Sequence, residues 1–97
     1  MKSLAFTWDD QKNQLNIKKH KISFEEAQTV FFDENAIEFE DPDHSAKENR
    51  FILLGLSYKI RTLVVCHCFR NTEKEIRIIS ARKATKNEQK IYNRGLK

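Results

Sequence analysis

The sequence predicts a single α+β domain over residues 1–97, in which an antiparallel sheet carries two N-terminal helices and one C-terminal helix. Two observations lead to the order β-α-α-(β)-β-β-β-α. Helical signals lie before and after a block of strand signals, so helices and strands are segregated along the chain. Within that block, three apolar stretches follow one another with short connections, which favour antiparallel hairpins: Arg50–Leu56, Arg61–Cys68 and Glu75–Arg82.

The N-terminal part predicts a short strand and two helices. Leu4–Trp8 alternates apolar residues with small or polar ones, as a strand does. Asp9 offers an N-cap for a helix of about ten residues that ends near His20. Ser23–Glu26 has the spacing of a capping box, which marks the start of the second helix. That helix carries an apolar stripe at helical spacing, which predicts core residues: Phe24, Ala27, Val30 and Phe31.

The remaining signals complete the order of elements. Ala36–Glu40 alternates and is a candidate edge strand. Asp41–His44 is typical of a turn, because proline is well placed in it. Thr85 and Glu88 form a second capping box, which starts a last helix over residues 84–94.

Charge is distributed unevenly between the two halves of the chain. Residues 1–49 contain 6 Lys/Arg and 11 Asp/Glu, a balance of −5, whereas residues 50–97 contain 12 Lys/Arg and 3 Asp/Glu, a balance of +9. Such asymmetry indicates an anionic partner for the basic half. RNA, DNA and an acidic protein all meet that description.

Several classes of protein are excluded by what the sequence lacks. No apolar run approaches the ~20 residues of a membrane helix, and the N-terminus lacks the basic and apolar regions of a signal peptide. We therefore expect a cytoplasmic protein without a membrane partner. The chain has 2 glycines and no Gly-rich phosphate loop. No serine lies in a nucleophile-elbow pattern, so a Ser/His/Asp hydrolase is not supported.

The two cysteines predict buried thiols. Cys66 and Cys68 stand two apart in an apolar strand, so both point to one face and are poor candidates for a mutual disulfide. A Cys-His-Cys metal site is the alternative, but His67 would point to the opposite face. We expect neither a metal nor a cofactor.

The candidate catalytic residues fit RNA cleavage without a metal. In that reaction the 2′-OH attacks the adjacent phosphate, and the protein supplies a base, an acid and cations for the phosphorane charge. Histidine titrates nearest neutrality, and arginine matches phosphate in a two-pronged fork. The candidates for acid and base are His20, His44, His67 and Glu48, and those for the cations are Arg50, Arg77 and Arg82.

Each of these candidates has a structural alternative. His20 closes a run of lysines at a predicted helix C-terminus, where cations favour the dipole. His44 can be a turn residue only, and His67 can be a satisfied histidine within the sheet. Glu48 and Arg50 can form a surface ion pair of little energetic value. Among the histidines we rank His20 first because it lies among cations, and His67 last because its apolar strand setting explains it without a function.

The spacing of Arg77 and Arg82 poses a geometric difficulty. On a regular strand the two side chains point to opposite faces, unless a β-bulge re-aims one of them. Arg82 ends the strand and precedes a basic helix, which is a common place for functional groups. The sequence therefore favours a functional Arg82 but does not show that the pair forms one clamp.

An ordered set of residues spans Phe6 to Glu88: Phe6–Asp9, Lys12, Asn16, Lys19, His20, Ile22–Ala27, Asp43–Ser45, Glu48, Arg50, Gly55, Ser57, Arg77–Arg82, Ala84 and Glu88. The set resembles the BrnT family of toxin–antitoxin toxins. The resemblance implies a RelE/ParE-like fold and ribonuclease activity that halts translation. It also implies a cognate DNA-binding antitoxin that neutralises the toxin, with operator DNA bound only through their complex.

The resemblance and the charges together define the expected site. We expect catalysis to involve His20, Glu48, Arg50, Arg77 and Arg82, and RNA binding to involve Lys19, Arg61, Lys83 and Lys86. One position departs from the family, whose members commonly have glycine where this chain has Lys21. In a left-handed C-cap a lysine costs roughly 1 kcal/mol, so the helix end, and with it the pose of His20, is open to change.

Two functions from different classes remain open on the sequence. The first is a metal-independent endoribonuclease toxin held by an antitoxin. The second is a non-catalytic module that binds antitoxin and nucleic acid in operator autoregulation, which the lack of an unmistakable catalytic constellation favours. RNA degradation by the purified protein in EDTA separates them.

Overall fold

A computed structural model describes residues 5–41, 49–70 and 74–96. Its centre is a five-stranded sheet in the spatial order β1-β5-β4-β3-β2. The strands are β1 (Ala5–Thr7), β2 (Ile37–Glu40), β3 (Arg50–Leu56), β4 (Thr62–Arg70) and β5 (Glu75–Lys83). The helices are α1 (Asp10–His20), α2 (Phe24–Thr29), which continues into a 3₁₀ turn over Val30–Phe32, and α3 (Lys86–Arg94).

The sheet confirms the predicted hairpins and adds one parallel pair. Strands β2 to β5 pair with antiparallel neighbours, as the short connections indicate. β1 instead lies parallel to β5 at the opposite edge, with Ala5 beside Glu75 and Thr7 beside Arg77. The predicted α+β fold with an antiparallel sheet is thus confirmed, and β1 adds a parallel pair at one edge that the sequence did not predict. β1 is separated from the other strands by both N-terminal helices, so no hairpin signal in the sequence assigns its partner.

Two cores lie on opposite faces of the sheet. The larger packs α2 against the sheet and includes Phe24, Ala27, Leu53, Val65 and Ile78, each at most 8% exposed. The smaller packs Tyr92 of α3 onto Leu54 and Val64. Helices α1 and α2 thus cover one face, which we call the helix face, and α3 covers only part of the other.

The C-terminus of α1 keeps the left-handed geometry that glycine favours. Lys21 has φ 61° and ψ 29°, and its N–H donates to the carbonyl of Ile17. A lysine therefore forms the left-handed C-cap at the position where the resemblance implies glycine. The lysine stores strain of roughly 1 kcal/mol. At the other end Asp9 caps the helix as predicted, by accepting from the N–H groups of Gln11 and Lys12.

The two predicted capping boxes have different outcomes. At α3 both halves are present, since Thr85 accepts from the Glu88 N–H and the Glu88 carboxylate accepts from the Thr85 N–H. At α2 only Ser23 acts as a cap, by accepting from the Glu26 N–H at 3.0 Å. The Glu26 carboxylate points away to Arg61, so the second half of that predicted box was wrong. The ion pair between Glu26 and Arg61 replaces the hydrogen bond that a capping box would make from the Ser23 N–H to the Glu26 carboxylate.

Candidate functional site

Arg50, Arg77 and Arg82 lie on the same face of the sheet, opposite the helix face. Arg50 pairs with Cys68 on β4, and Cys68 pairs with Arg77 on β5, so these three side chains form one row across the strands. Arg82 pairs with Val64, which belongs to the smaller core. Arg82 therefore projects on the face of Arg50 and Arg77, roughly 13 Å along the strands from their row.

A β-bulge brings the two β5 arginines to one face. Ile78 pairs with His67 and Ser80 pairs with Cys66, so Ile79 is an extra residue with no partner of its own on β4. Ile78 before the bulge and Ala81 after it both belong to the larger core. Alternation consequently turns Arg77 and Arg82 to the other side. This resolves the difficulty that a regular strand posed.

Between the arginines the sheet forms a cleft of about 270 Å³, which we call the central cleft. Its lining combines charged, polar and apolar side chains: Asp41, Arg50, Ile52, Val64, Cys66, Ile79, Ser80 and Arg82. Burial raises the pKa of the Cys66 thiol, and the carboxylate of Asp41, whose Oδ2 lies 3.8 Å from the sulfur, raises it further. Cys66 is therefore a neutral thiol in the wall of the cleft rather than a nucleophile. We call the surface formed by the central cleft and the three arginines the arginine face.

Glu88 holds the guanidinium of Arg82 in a two-pronged pair. Nη1 donates to Oε1 at 2.7 Å and Nη2 donates to Oε2 at 2.8 Å. The hydrogen bonds from Arg82 and from the Thr85 N–H lower the pKa of Glu88 to about 2. The Nε–H and the second Nη2 proton make no hydrogen bond to a residue within the described ranges. That second edge of the fork has the shape that a phosphate oxygen pair takes.

A second cleft, of about 200 Å³, adjoins the central one and contains His20. Its lining is Lys12, Leu15, Asn16, Lys19, His20, Ile79 and Ser80, so it shares Ile79 and Ser80 with the central cleft. We call it the α1 cleft. His20 and Lys19 thus line a cleft that shares two wall residues with the cleft lined by Arg82 and Arg50.

Asn16 fixes α1 beside β5 and so sets the width of the α1 cleft. Its Nδ2 donates to the carbonyls of Ile22 and Ala81, and its Oδ1 accepts from the Ala81 N–H at 3.1 Å. β1 pairs only with residues 75–77 of β5, so the Ala81 N–H and carbonyl have no neighbouring strand on that side. The Asn16 amide provides their hydrogen-bond partners instead. No role of its own was predicted for Asn16, because α1 is rich in uncharged polar and basic residues and gives no local signal for one.

Other predicted residues lie away from the arginine face. Arg61 donates from Nε and Nη2 to the Glu26 carboxylate, which is only 1% exposed and also accepts from Ser57. Arg61 is thereby held at the edge of the helix face by a structural pair, and its contact with RNA stays a prediction. Lys83 pairs with Leu63 of the larger core, so it projects on the helix face as well. Lys86 is exposed in the first turn of α3.

His67 is a satisfied histidine in the larger core. It is 0% exposed, its Nδ1 lies 3.1 Å from the Val65 carbonyl, and its Nε2 lies 3.3 Å from Glu38 Oε1. Phe31 meets its ring edge-on at 4.8 Å. Desolvation lowers the pKa of His67, which keeps the imidazole neutral. It lies on the face opposite Cys66 and Cys68, as the alternation predicts.

Two predicted residues, His44 and Glu48, lie outside the described residues. Among residues 5–41, 49–70 and 74–96, no group of three or more His, Cys, Asp or Glu side chains could hold a metal ion. Over the same ranges, no helix is long and apolar enough to cross a membrane.

Comparison with known proteins gives a consistent result. The family model described as the ribonuclease toxin BrnT of type II toxin–antitoxin systems matches residues 8–88. The 1.1 Å crystal structure of the Brucella abortus ribonuclease toxin BrnT superposes with a TM-score of 0.67 at 22% identity, and the match covers 87% of this chain and 100% of that one. No curated protein matches. At 22% identity the superposition shows the shared α+β fold alone, whereas the family model extends over most of the chain.

Proposed function

The chain belongs to the BrnT family of type II toxin–antitoxin ribonuclease toxins, and on that premise we propose that it cleaves RNA at the arginine face. The observation that carries the proposal is the β-bulge, which turns Arg77 and Arg82 to the side of Arg50. Three cations on one open sheet face are an electrostatic site for a phosphodiester backbone. The reaction is transesterification by the 2′-OH, without a metal.

Arg82 is the residue we assign to the scissile phosphate. Glu88 binds one edge of its guanidinium, and the other edge is directed to stabilise the charge of the phosphorane. Arg50 and Arg77, at the far end of the arginine face, bind the neighbouring part of the RNA. Because the pair with Glu88 fixes the guanidinium before RNA arrives, little reorganisation is needed in the transition state.

His20 is our candidate for proton transfer. It lines the α1 cleft, which shares Ile79 and Ser80 with the central cleft, so an RNA strand that crosses Arg82 passes the imidazole. Lys19 lies beside it and binds backbone phosphate. Glu48 keeps its place as a second acid/base candidate, on the sequence alone.

The proposal includes the biological setting. A type II toxin has a cognate protein antitoxin, and we propose that an acidic or apolar antitoxin segment covers the arginine face and inhibits by exclusion of RNA. Where charge dominates this contact, binding weakens as salt rises, whereas an affinity that stays flat between low and high salt would show that apolar burial holds the complex. Cleavage of RNA in the cytoplasm would halt translation, and contact with operator DNA would occur through the antitoxin.

RNA cleavage by the purified chain in EDTA tests the proposal. We expect cleavage to persist in EDTA and to fall by ~10²-fold or more in Arg82→Ala, the scale of losing one charge-stabilising donor. Arg94→Ala removes an exposed arginine from the end of α3 and is the matched control, with cleavage unchanged. Equal rates in Arg82→Ala and the parent, with the fold intact, would remove Arg82 from the site.

The non-catalytic binding module stays the second candidate. The observation that favours it is that Arg82 already has a full two-pronged carboxylate partner in Glu88. Intact RNA after incubation, together with tight binding to the antitoxin, would support this module over the ribonuclease.

A further inference from the structure

A buried carboxylate lies at one end of the central cleft. The Asp41 N–H donates to the Arg50 carbonyl at 2.9 Å, so Asp41 extends the ladder between β2 and β3 by one residue. Glu40 pairs with Phe51, and alternation therefore turns Asp41 to the arginine face. Asp41 is 7% exposed and lines the cleft beside Arg50.

The carboxylate decides which part of an RNA chain can enter this end of the cleft. A phosphate beside Asp41 would place two anions together in a partly desolvated site, which is unfavourable. A nucleobase brings N–H donors instead, and a buried carboxylate accepts these well. The cleft walls Ile52, Val64 and Ile79 are apolar and suit the flat faces of a base, and about 270 Å³ has room for one.

The cleft contains both an acceptor, the Asp41 carboxylate, and a donor, the Arg50 guanidinium. Together these two groups can distinguish the four bases by the donors and acceptors on their Watson–Crick edges. Guanine presents two adjacent donors, N1–H and N2–H, next to the acceptor O6. On the same edge adenine presents one donor and one acceptor, and uracil presents one donor between two acceptors. Cytosine presents one donor beside two acceptors. Of the four bases, guanine is therefore the one that offers two adjacent donors to a carboxylate and, next to them, an acceptor to a guanidinium.

We propose that the central cleft is a guanine pocket, in which Asp41 accepts from N1–H and N2–H and Arg50 donates to O6. A carboxylate accepts about four hydrogen bonds and a guanidinium donates five, so both groups can bind the base while they keep partners within the protein. The base then lies at the Arg50 end of the arginine face and its phosphate lies towards Arg82. The proposal rests on the proposed function, because it assigns a sequence preference to the same RNA site.

Nucleotide binding to the intact chain tests the pocket without any need for cleavage. In titration calorimetry we expect GMP to bind more tightly than AMP, CMP and UMP, which carry the same phosphate. IMP lacks the N2 amino group and should bind about 10-fold more weakly than GMP, the scale of one hydrogen bond to a charged acceptor. This comparison uses the parent chain only, so it does not depend on the folding of a variant.

Asp41→Asn supplies the second measurement. The amide replaces one acceptor by a donor, so GMP affinity should fall by about 10-fold or more while affinity for AMP changes less. Glu40→Gln is the matched control, since Glu40 is the neighbouring carboxylate and projects on the helix face. Equal affinity for the four nucleotides, or an unchanged preference for GMP in folded Asp41→Asn, would overturn the pocket.

Mapping of cleavage sites separates this proposal from the proposed function. We expect the parent to cut beside guanosine, and an RNA with inosine at that position to be cut more slowly. Cleavage without preference among bases and without preference for GMP would refute the pocket and leave the ribonuclease. Preference for GMP without cleavage of any RNA would support the pocket and refute the ribonuclease.

Discussion

Replacement of Glu88 by glutamine tests how Arg82 is positioned. The carboxylate accepts from both Nη atoms of Arg82 and from the Thr85 N–H, so one side chain joins the end of β5 to the start of α3. Glutamine keeps the shape of glutamate and one acceptor oxygen, but it removes the negative charge. Its NH₂ group would face one of the Arg82 N–H donors, so that hydrogen bond is lost. The guanidinium of Arg82 should therefore become mobile without any loss of its own charge.

The size of the effect follows from the pKa of Glu88. A decrease from 4.5 to about 2 corresponds to roughly 3 kcal/mol at about 1.4 kcal/mol per unit. The Arg82 side chain is 41% exposed, so solvent screening reduces the contribution to about 1–2 kcal/mol. Because the folded-state pKa is lowered, this stability is present above pH 4.5 and is lost as the pH falls towards 2.

Denaturation and cleavage measure the two consequences. At neutral pH we expect Glu88→Gln to lower the free energy of unfolding by about 1–2 kcal/mol, with the difference from the parent vanishing near pH 2. RNA cleavage should fall by about 10-fold through kcat, with KM little changed. Thr85→Ala is the control: it removes the hydroxyl that caps the Glu88 N–H and leaves the pair with Arg82 in place.

A double-variant comparison decides whether the reasoning is right. If Glu88 acts only through Arg82, then Glu88→Gln has no further effect on cleavage in an Arg82→Ala background. Additive losses in the double variant would refute positioning and make Glu88 a residue that supports α3 alone. An unchanged pH dependence of unfolding in Glu88→Gln would likewise refute the assigned ion pair.

Three other variants probe the strained and irregular parts of the fold. Lys21→Gly should raise the free energy of unfolding by about 1 kcal/mol in urea denaturation, because glycine adopts φ 61° without strain. Arg61→Ala should lower it by about 3 kcal/mol, since Glu26 remains buried and uncompensated, and Glu26→Gln in the same chain should recover part of the loss. Deletion of Ile79 removes the bulge and leaves every core residue of β5 on its face, so thermal unfolding should show a milder loss than deletion of Cys66, whose strand β4 has no extra residue to absorb the change. Equal losses in the two deletion variants would contradict the bulge at Ile79.

Local signals predicted the elements of this fold well. Asp9 and Thr85 cap helices as their spacing indicates, and the three apolar stretches became neighbouring antiparallel strands. These features depend on residues within a few positions of one another. The sequence therefore carries them without knowledge of the rest of the structure.

Tertiary partners account for what the sequence did not predict. Ser23 and Glu26 have the spacing of a capping box, yet Glu26 binds Arg61, which lies 35 positions away. A carboxylate that is 1% exposed is stabilised more by a paired cation than by one further backbone N–H donor. The residues near Glu26 in the sequence do not indicate which cation that will be. Composition likewise did not show that Arg61 pairs with a buried carboxylate, because it does not show which cations are paired within the protein.

The β-bulge explains why the alternation of residues in β5 could not predict which face of the sheet Arg82 lies on. In a regular strand, side chains an even number of positions apart lie on the same face of the sheet. One extra residue reverses this rule for all residues that follow it in the strand. Ile79 is that residue, and it also lines both the central cleft and the α1 cleft. The position that turns Arg82 towards Arg77 is thus the position where the two clefts meet. One local irregularity accordingly places the arginines on one face and contributes a wall residue to both clefts.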